Sequence, residues 1–423
     1  MKSSPLSQLG RRITEPPIAW LMKRSLDHPQ LISLAAGFTD NPSLPVEEAR
    51  ASLDEVLSSP QTGQPALQYG PSAGDGRLRR LTAERAQRQD QADGPQYATD
   101  RVLITHGSQQ LLYLLCEALC DAGDIVLLED PTYFVFLGIA QSRAIQCRGV
   151  RLAEDGIDLA QLEATLETLK RSGELPRVKM LYLVTYYQNP TGITTALEKK
   201  AGALALLKHY ERAAGHPIYL LEDAAYRELR FAGADVHSAL AVKGGKDRVI
   251  YTGTYSKPFA TGVRVGYGLL PEPLYTVVLR IRGNHDFGTS NLLQQILAQA
   301  IDTGRYEKHL GVLQKRYAQK AAVMADAIGK NFPAGVEWRP PQGGLYVWAR
   351  APQSVRTGIK SRFFQKAMRQ DVLYVPGELC YADDPRRAKP NHEMRLSFGG
   401  AKEADIQEGI ARLGRVLREM RVK

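Results

Sequence analysis

Short apolar runs alternate with helix-length amphipathic segments along the chain up to about residue 300. Runs of β-branched residues or leucine, without polar alternation, are typical of strands that are buried on both faces of a sheet. The pattern predicts strands at Arg101–Thr105, Ile125–Glu129, Ala144–Arg151, Lys179–Val184, Ile218–Glu222, Arg248–Gly253 and Val263–Leu269. Strands that alternate with helices favour an α/β fold, whose ligands bind at the carboxyl ends of the strands.

Beyond about residue 300 the pattern becomes that of an α+β domain. It predicts helices at Tyr306–Lys330, near Val355–Arg369 and at the C-terminus, and strands at Gly343–Trp348 and Glu393–Phe398. We therefore expect a proline-rich N-terminal arm at residues 1–30, which can hold only short helices. A large domain would span residues 61–295, and a small domain would combine residues 31–60 with residues 296–423.

Composition narrows the class of protein without naming a function. The chain has 423 residues, 43% apolar content and a net charge of +10. Its densest basic run, Arg412 to Arg421, recurs opposite apolar residues and carries no interleaved aromatic residues, which predicts a solvated helix face and no nucleic-acid site. The four cysteines show no paired spacing, no run reaches the length of a membrane span, and no signal peptide is evident. We expect a cytoplasmic protein without a membrane segment.

Polar residues follow several of the predicted strands. Gly107, Ser108 and Gln109 precede an apolar helix, where free N–H groups suit a phosphate, although Ser108 is equally an ordinary helix cap. Tyr133 follows the second strand and could simply pack in the core. Asn189 stands in an Asn-Pro-Thr-Gly sequence that could be a plain turn.

Two further strand ends carry charged groups. Asp223 ends an apolar strand, where an ionised carboxylate needs a cation, and Tyr226 follows it. Lys257 follows Thr254 and Ser256, and Arg264 lies seven residues after Lys257. Without other evidence, these two cations would be interpreted as an ordinary solvent-exposed pair. A phosphate cradle, an aromatic ring, an amide, a buried carboxylate and an amine at one sheet edge are what pyridoxal 5′-phosphate (PLP) requires.

The chain resembles the fold-type-I PLP enzymes of the class I/II aminotransferase family. The resemblance rests on Leu67–Gly74, Asn189–Gly192, Ser256-Lys257 and Met394–Phe398, in that order. The segments Ile32–Gly37, Leu67–Gly74 and Gly343–Trp348 look most like the kynurenine/2-aminoadipate aminotransferase group. The resemblance implies a mostly parallel seven-stranded sheet sandwiched by helices, with a smaller α+β domain.

The same resemblance implies roles for individual residues. Lys257 would be the Schiff-base lysine and proton carrier, and Asp223 would pair with the pyridine nitrogen. Asn189 and Tyr226 would hold the ring oxygen, and Tyr133 would stack on the ring. Phosphate or nearby cofactor contacts would come from Gly107, Ser108, Gln109, Thr254, Ser256 and Arg264.

Two roles involve a second molecule. Tyr69 resembles the tyrosine that reaches the phosphate of the neighbouring subunit, which implies a homodimer. Arg395 matches the arginine that clamps the substrate carboxylate, and Gly37 and Asn189 would contact the same substrate. His106, His285 and His392 are expected to be structural, with no metal site.

The implied reaction is transfer of an amino group from an L-amino acid to a 2-oxoacid, with 2-oxoglutarate as acceptor, by a ping-pong mechanism. A cysteine-S-conjugate type β-lyase or a decarboxylase on the same scaffold stays open. A PLP-binding transcription regulator would need a helix-turn-helix domain, which the proline-broken arm cannot hold. Candidates to line the side-chain pocket are Arg11, Arg12, Arg24, Arg280–Asn291 and Tyr186-Tyr187.

Overall fold

The structure is a computed structural model that describes residues 5–384 and 387–420; Arg421 of the basic run lies outside these ranges. The helices are α1 (Gln8–Arg12), α2 (Pro17–Asp27), α3 (Val46–Val56), α4 (Pro60–Leu67), α5 (Gly76–Asp90), α6 (Gly107–Leu119), α7 (Phe134–Ser142), α8 (Leu159–Arg171), α9 (Leu197–Ala214), α10 (Leu274–His285), α11 (Asn291–Asp302), α12 (Arg305–Asn331), α13 (Arg362–Arg369) and α14 (Glu403–Glu419). As predicted, α1 and α2 of the arm are short, and α2 begins at a proline.

Within the described residues, the strands fall into three sheets. They are β1 (Ile32–Ser33), β2 (Val102–Thr105), β3 (Ile125–Asp130), β4 (Gln146–Ala153), β5 (Gly156–Ile157), β6 (Val178–Val184), β7 (Tyr219–Asp223), β8 (Val249–Thr254), β9 (Gly266–Leu269), β10 (Glu337–Trp338), β11 (Tyr346–Arg350), β12 (Val372–Leu373), β13 (Val375–Pro376) and β14 (Glu393–Ser397).

The largest sheet has the order β2-β9-β8-β7-β6-β3-β4-β5. Its neighbours from β8 to β4 pair in parallel, whereas β9 is antiparallel to both β8 and β2. Apolar helices cover both faces, which explains why the strands read as continuous apolar runs. The mostly parallel sheet is confirmed. Its seven predicted strands are joined by an eighth, β5, whose two residues are too few to show a periodic pattern.

A second sheet, β10-β11-β14-β13, is antiparallel and packs with α12 and α14, as the predicted α+β pattern requires. Its register places Arg395 opposite Trp348 and Val375. Strands β1 and β12 pair separately in parallel. The residue boundaries of the two domains stay a prediction.

Three predicted elements begin three or more residues later in the structure than expected. Strand β9 starts at Gly266 because residues 261–263 form a 3-10 turn, and this leaves Arg264 in the loop with a φ of 52°. Helix α13 starts only at Arg362, where Ser361 accepts a hydrogen bond from the Phe364 amide. Strand β11 starts at Tyr346 because Gly343 and Gly344 instead pack against Tyr187.

Candidate active site

A cavity lies at the carboxyl ends of β2, β6, β7 and β8, where parallel α/β sheets place their ligands. Every cofactor-binding residue predicted from the sequence, other than Tyr69, lines it. Val184, Ala225 and Thr261 also line it and were not predicted; Val184 ends a strand and Ala225 follows one, so the strand-end rule could have found both. The lining residues are Gly107, Ser108, Gln109, Tyr133, Val184, Asn189, Asp223, Ala225, Tyr226, Thr254, Ser256, Lys257, Thr261 and Arg264.

One end of the cavity has the free amides and the cation that an anion-binding site requires. Helix α6 begins at Gly107, so the amides of its first turn are free of intrahelical partners, and no side chain caps it. Ser108 is therefore not the helix cap. The Arg264 Nη1 donates to Ser256 Oγ at 3.3 Å, which brings the guanidinium to the same end. Gly107 has a φ of 73°, and a Cβ on it would lie 2.8 Å from Arg264 Nη2.

A buried carboxylate stands at another wall of the cavity. Asp223 Oδ2 accepts a hydrogen bond from the Tyr182 hydroxyl at 2.9 Å, and Oδ1 accepts one from the Ala225 amide at 3.1 Å. Burial raises the pKa of Asp223 to about 6, and within residues 5–384 and 387–420 no basic side chain pairs with it. A buried carboxylate in this state would be stabilised by a cationic ligand group such as a protonated pyridine nitrogen.

Lys257 carries the amine of the site. Its Nζ donates to the Gly37 carbonyl oxygen at 2.7 Å. Burial, together with the positive charges of Arg395 and Arg264, lowers the pKa of Lys257 to about 8. A sizeable fraction of this amine is therefore neutral and nucleophilic near physiological pH.

Arg395 joins the second sheet to the cavity. Its Nη1 donates to Asn189 Oδ1 at 2.7 Å and its Nη2 to the Ala35 carbonyl oxygen at 2.6 Å, while the guanidinium lies over the Tyr346 ring. The side chain is buried, and its Nε has no hydrogen-bond partner. The structure thus brings Arg395, Asn189 and Gly37 together in a second pocket, which shares Asn189 and Lys257 with this cavity and where a carboxylate could satisfy Arg395.

An apolar pocket adjoins Lys257 and Arg395. Its walls include Phe38, Phe134, Val135 and Tyr346, none of which was predicted individually from the sequence. The Tyr346 hydroxyl lies 3.1 Å from that of Tyr226. Phe38 adjoins Gly37 and Tyr346 belongs to Gly343–Trp348, so the family-like segments carried the only signal for these two walls.

None of the candidates for the side-chain pocket lines the cavity or the pocket of this chain as the structure describes it. Tyr186 is buried away from it, with its hydroxyl bonded to the Val236 carbonyl, and Tyr187 packs on Gly343. Arg12 bonds the Ser142 carbonyl, and Arg24 lies over Trp20. The other proposed pocket residues are also absent from the lining of the described cavity: Arg11 and Arg280–Asn291.

Tyr69 lies outside the cavity of its own chain. Its side chain is 83% exposed, and its ring packs edge-on against Phe287. Across residues 5–384 and 387–420, no group of histidine, cysteine or acidic residues has the arrangement of a metal site. In the same ranges, no helix is long and apolar enough to cross a membrane.

The family model for aminotransferase class I and II matches residues 29–413. The chain belongs to the class I and II aminotransferases. This aminotransferase is 32% identical over 390 residues to aromatic-amino-acid aminotransferase 1 of Thermococcus litoralis, covering 92% of this chain and 88% of that one. It is 32% identical over 410 residues to the 2-aminoadipate transaminase of Thermus thermophilus, covering 96% and 95%.

A solved structure agrees with this assignment. The kynurenine aminotransferase of Pyrococcus horikoshii, crystallised with PMP, superposes with a TM-score of 0.88 at 29% identity, covering 98% of this chain and 97% of that one. The predictions of fold class, of a PLP-dependent aminotransferase and of PLP as the cofactor are confirmed.

Proposed function

We propose that this aminotransferase takes the amino group from an L-amino acid with an apolar or aromatic side chain and passes it to 2-oxoglutarate. The observation that supports the donor class is the wall of Phe38, Phe134, Val135 and Tyr346 beside Arg395. This wall favours an apolar side chain, because a second carboxylate against it would lose its hydration. The cations that line the same pocket, Lys257, Arg264 and Arg395, are already assigned to the cofactor and to the α-carboxylate. The acceptor is proposed on the resemblance to the family.

The cavity fits the cofactor at both of its ends. The α6 amides, Ser256 and Arg264 would hold the phosphate, and Asp223 would hold the pyridine nitrogen in its protonated form. Gly107 fits this assignment, since a side chain there would meet Arg264. Bound PLP supplies an aldehyde that captures amino groups and a ring that accepts the electron pair released at the substrate α-carbon.

The proposed chemistry depends on the position of Lys257. Once released from the cofactor, its amine, with a lowered pKa, would take a proton from the substrate α-carbon and pass it to the cofactor carbon that keeps the amino group. Arg395 would hold the α-carboxylate through a bidentate pair and so fix the α-carbon relative to this amine. Asn189 and Tyr226 would orient the ring oxygen, and Tyr133 would lie against the ring face.

We also propose that the enzyme is a homodimer in which Tyr69 enters the partner's site. Its exposure in the single chain supports this, because a large aromatic side chain open to water is typical of an interface.

We further propose that the domain boundaries fall at residues 30, 60 and 295, and that the enzyme is located in the cytoplasm. The four cysteines are buried and unpaired, which fits a reducing compartment.

The deciding experiment is a panel of L-amino acids offered singly to the PLP-loaded enzyme, with the cofactor absorbance recorded. Conversion to the amino form of the cofactor by leucine, phenylalanine or tyrosine, and much weaker conversion by aspartate, would support the donor class. Reversal by 2-oxoglutarate would support the acceptor. Release of ammonia and pyruvate without any 2-oxoacid would instead identify a lyase.

A further inference from the structure

Tyr69 and Phe287 form an aromatic pair on the surface of the chain. Their ring centroids are 5.4 Å apart and their planes are inclined by 69°, the edge-to-face arrangement that aromatic rings prefer. Both rings are largely exposed, Tyr69 by 83% and Phe287 by 57%. Two exposed rings that contact each other outside any core indicate a surface that is covered in the assembled protein.

The loop that carries Phe287 is held from two sides. Asp286 accepts hydrogen bonds from Gln110 Nε2 and from Arg282 Nε, and Arg282 is itself buried. A second bond from Arg282, through Nη2, reaches the hydroxyl of Thr289 at 2.5 Å. Phe287 itself has a φ of 63°, which a side chain with a Cβ rarely adopts unless its surroundings impose it. These contacts within the chain therefore fix the position of the loop that carries the Phe287 ring.

The segment that carries Tyr69 is held by the helix that follows this loop. Asn291, the first residue of α11, donates through Nδ2 to the carbonyl oxygens of Pro65 at 2.8 Å and Gln68 at 3.4 Å. Gly70 lies against the same side chain, since a Cβ on it would be 2.7 Å from Asn291 Oδ1. The backbone on each side of Tyr69 is thus positioned, but among the described residues Phe287 makes the ring contact of Tyr69.

We propose that Phe287 is a positioning residue that holds the Tyr69 ring in the orientation in which it enters the partner's phosphate site. The inference rests on the proposed homodimer with Tyr69 in trans. A tyrosine that is exposed before assembly would otherwise sample several rotamers, and ordering it on assembly would weaken its contact with the phosphate. Because Phe287 already restricts the rotamers of Tyr69 in the single chain, it removes part of the entropy that Tyr69 would lose on assembly.

The first test measures PLP affinity of the cofactor-free enzyme by tryptophan fluorescence in four variants. Tyr69→Phe should raise the Kd for PLP about tenfold, the loss expected for one hydrogen bond to a charged group. Phe287→Ala should raise it about fivefold, because the hydrogen bond remains and only the ordering of one side chain is added to the cost of binding. Phe287→Tyr, which keeps the ring edge, should stay within about twofold of the wild-type Kd. The control is Val312→Ala, which truncates a comparably exposed apolar residue on α12 and should leave the Kd unchanged.

These outcomes separate the two proposals. A normal Kd in Tyr69→Phe would remove the trans tyrosine from the proposed function, and the role of Phe287 would fall with it. A raised Kd in Tyr69→Phe together with a normal Kd in Phe287→Ala would overturn the role of Phe287 alone. Sedimentation is run on each variant, and loss of the dimer in Phe287→Ala would mean that this residue only joins the subunits, which also overturns the proposal.

The second test asks in which subunit Phe287 acts. In a mixed dimer of a Phe287→Ala chain and a Lys257→Ala chain, the one site with Lys257 receives Tyr69 and Phe287 from the Lys257→Ala chain. The absorbance band of PLP linked to Lys257 should then appear with the wild-type PLP dependence. If the band keeps the weak dependence of the Phe287→Ala homodimer, Phe287 acts on its own subunit through Gln110, and the trans role is refuted.

Discussion

The Nη1 of Arg395 lies 2.7 Å from Oδ1 of Asn189, and this contact links the antiparallel sheet to the loop that follows β6 of the large sheet. The guanidinium also meets the Ala35 carbonyl and the Tyr346 ring, so three other segments of the chain converge on it. Its position is set before substrate arrives. A preorganised cation of this kind contributes more to binding than a mobile one, because little ordering remains to be done.

Arg395→Lys should raise the KM for the amino donor about a hundredfold while the affinity for PLP stays near that of the wild type. Lysine keeps the charge but loses the planar fork that binds a carboxylate through two bonds, and a buried charge contact of this type is worth about 3 kcal/mol. Steady-state kinetics measure the KM for the amino donor, and a separate titration measures the affinity for PLP. Loss of PLP affinity in this variant would mean that Arg395 serves the cofactor and not the substrate.

Asp223→Asn should stabilise the cofactor-free protein at about pH 8 and have little effect at about pH 4. Burial raises the pKa of Asp223 to about 6 from an unfolded value near 3.9, so the folded state binds the proton more tightly. Stability contributed by this group is therefore lost as pH rises from about 4 to 6, with an upper limit of about 3 kcal/mol. Asparagine at this position does not titrate, so the variant does not lose this contribution to stability as the pH rises.

The measurement is the free energy of unfolding in urea at both pH values, with and without PLP. With PLP bound at about pH 8, the wild type should instead have the higher free energy of unfolding, because only the aspartate can pair with the protonated ring nitrogen. An asparagine variant that is less stable than the wild type without cofactor at the higher pH would contradict the assignment of an uncompensated buried carboxylate.

Lys257 should capture PLP with a pH dependence centred near 8. The neutral amine is the nucleophile, and the lowered pKa means that it becomes available well below the pH of about 10.4 that a solvated lysine needs. Stopped-flow absorbance of the cofactor-free enzyme mixed with PLP, followed across this range, gives the midpoint. Lys257→Ala serves as the control and should show neither the linked-cofactor band nor turnover.

Gly107→Ala should raise the Kd for PLP by about tenfold or more. The added Cβ would lie 2.8 Å from Arg264 Nη2, and the φ of 73° is unfavourable for alanine, so both Arg264 and the first turn of α6 would shift. Gly311→Ala is the matched control, because that position lies inside α12 with open space around it. We expect it to bind PLP normally; equal affinity in both variants would show that the α6 start does not hold the phosphate.

Much of the fold and site could be predicted because the relevant signals are local. Continuous apolar runs give buried parallel strands, and such strands bring their carboxyl ends to one edge, so Ser108, Asn189, Asp223 and Lys257 could be placed together before any coordinates were known. Strand β5 was missed and the start of β9 was misplaced because two or three residues carry no period. The start of α13 was placed too early because its cap, Ser361, was not recognised.

The side-chain pocket shows where local signals end. Tyr186 and Tyr187 follow the same strand as Asn189, yet they point into the core, and the pocket wall comes from Phe38, Phe134 and Tyr346, which are distant in sequence. By itself, the sequence determined the α/β architecture, the family and most of the residues that line the cavity at the strand ends. Only the tertiary structure decided which side chains wall the pocket beside Arg395 and that Phe287 packs on Tyr69. Those contacts depend on how separate elements pack and not on any periodic pattern along one of them.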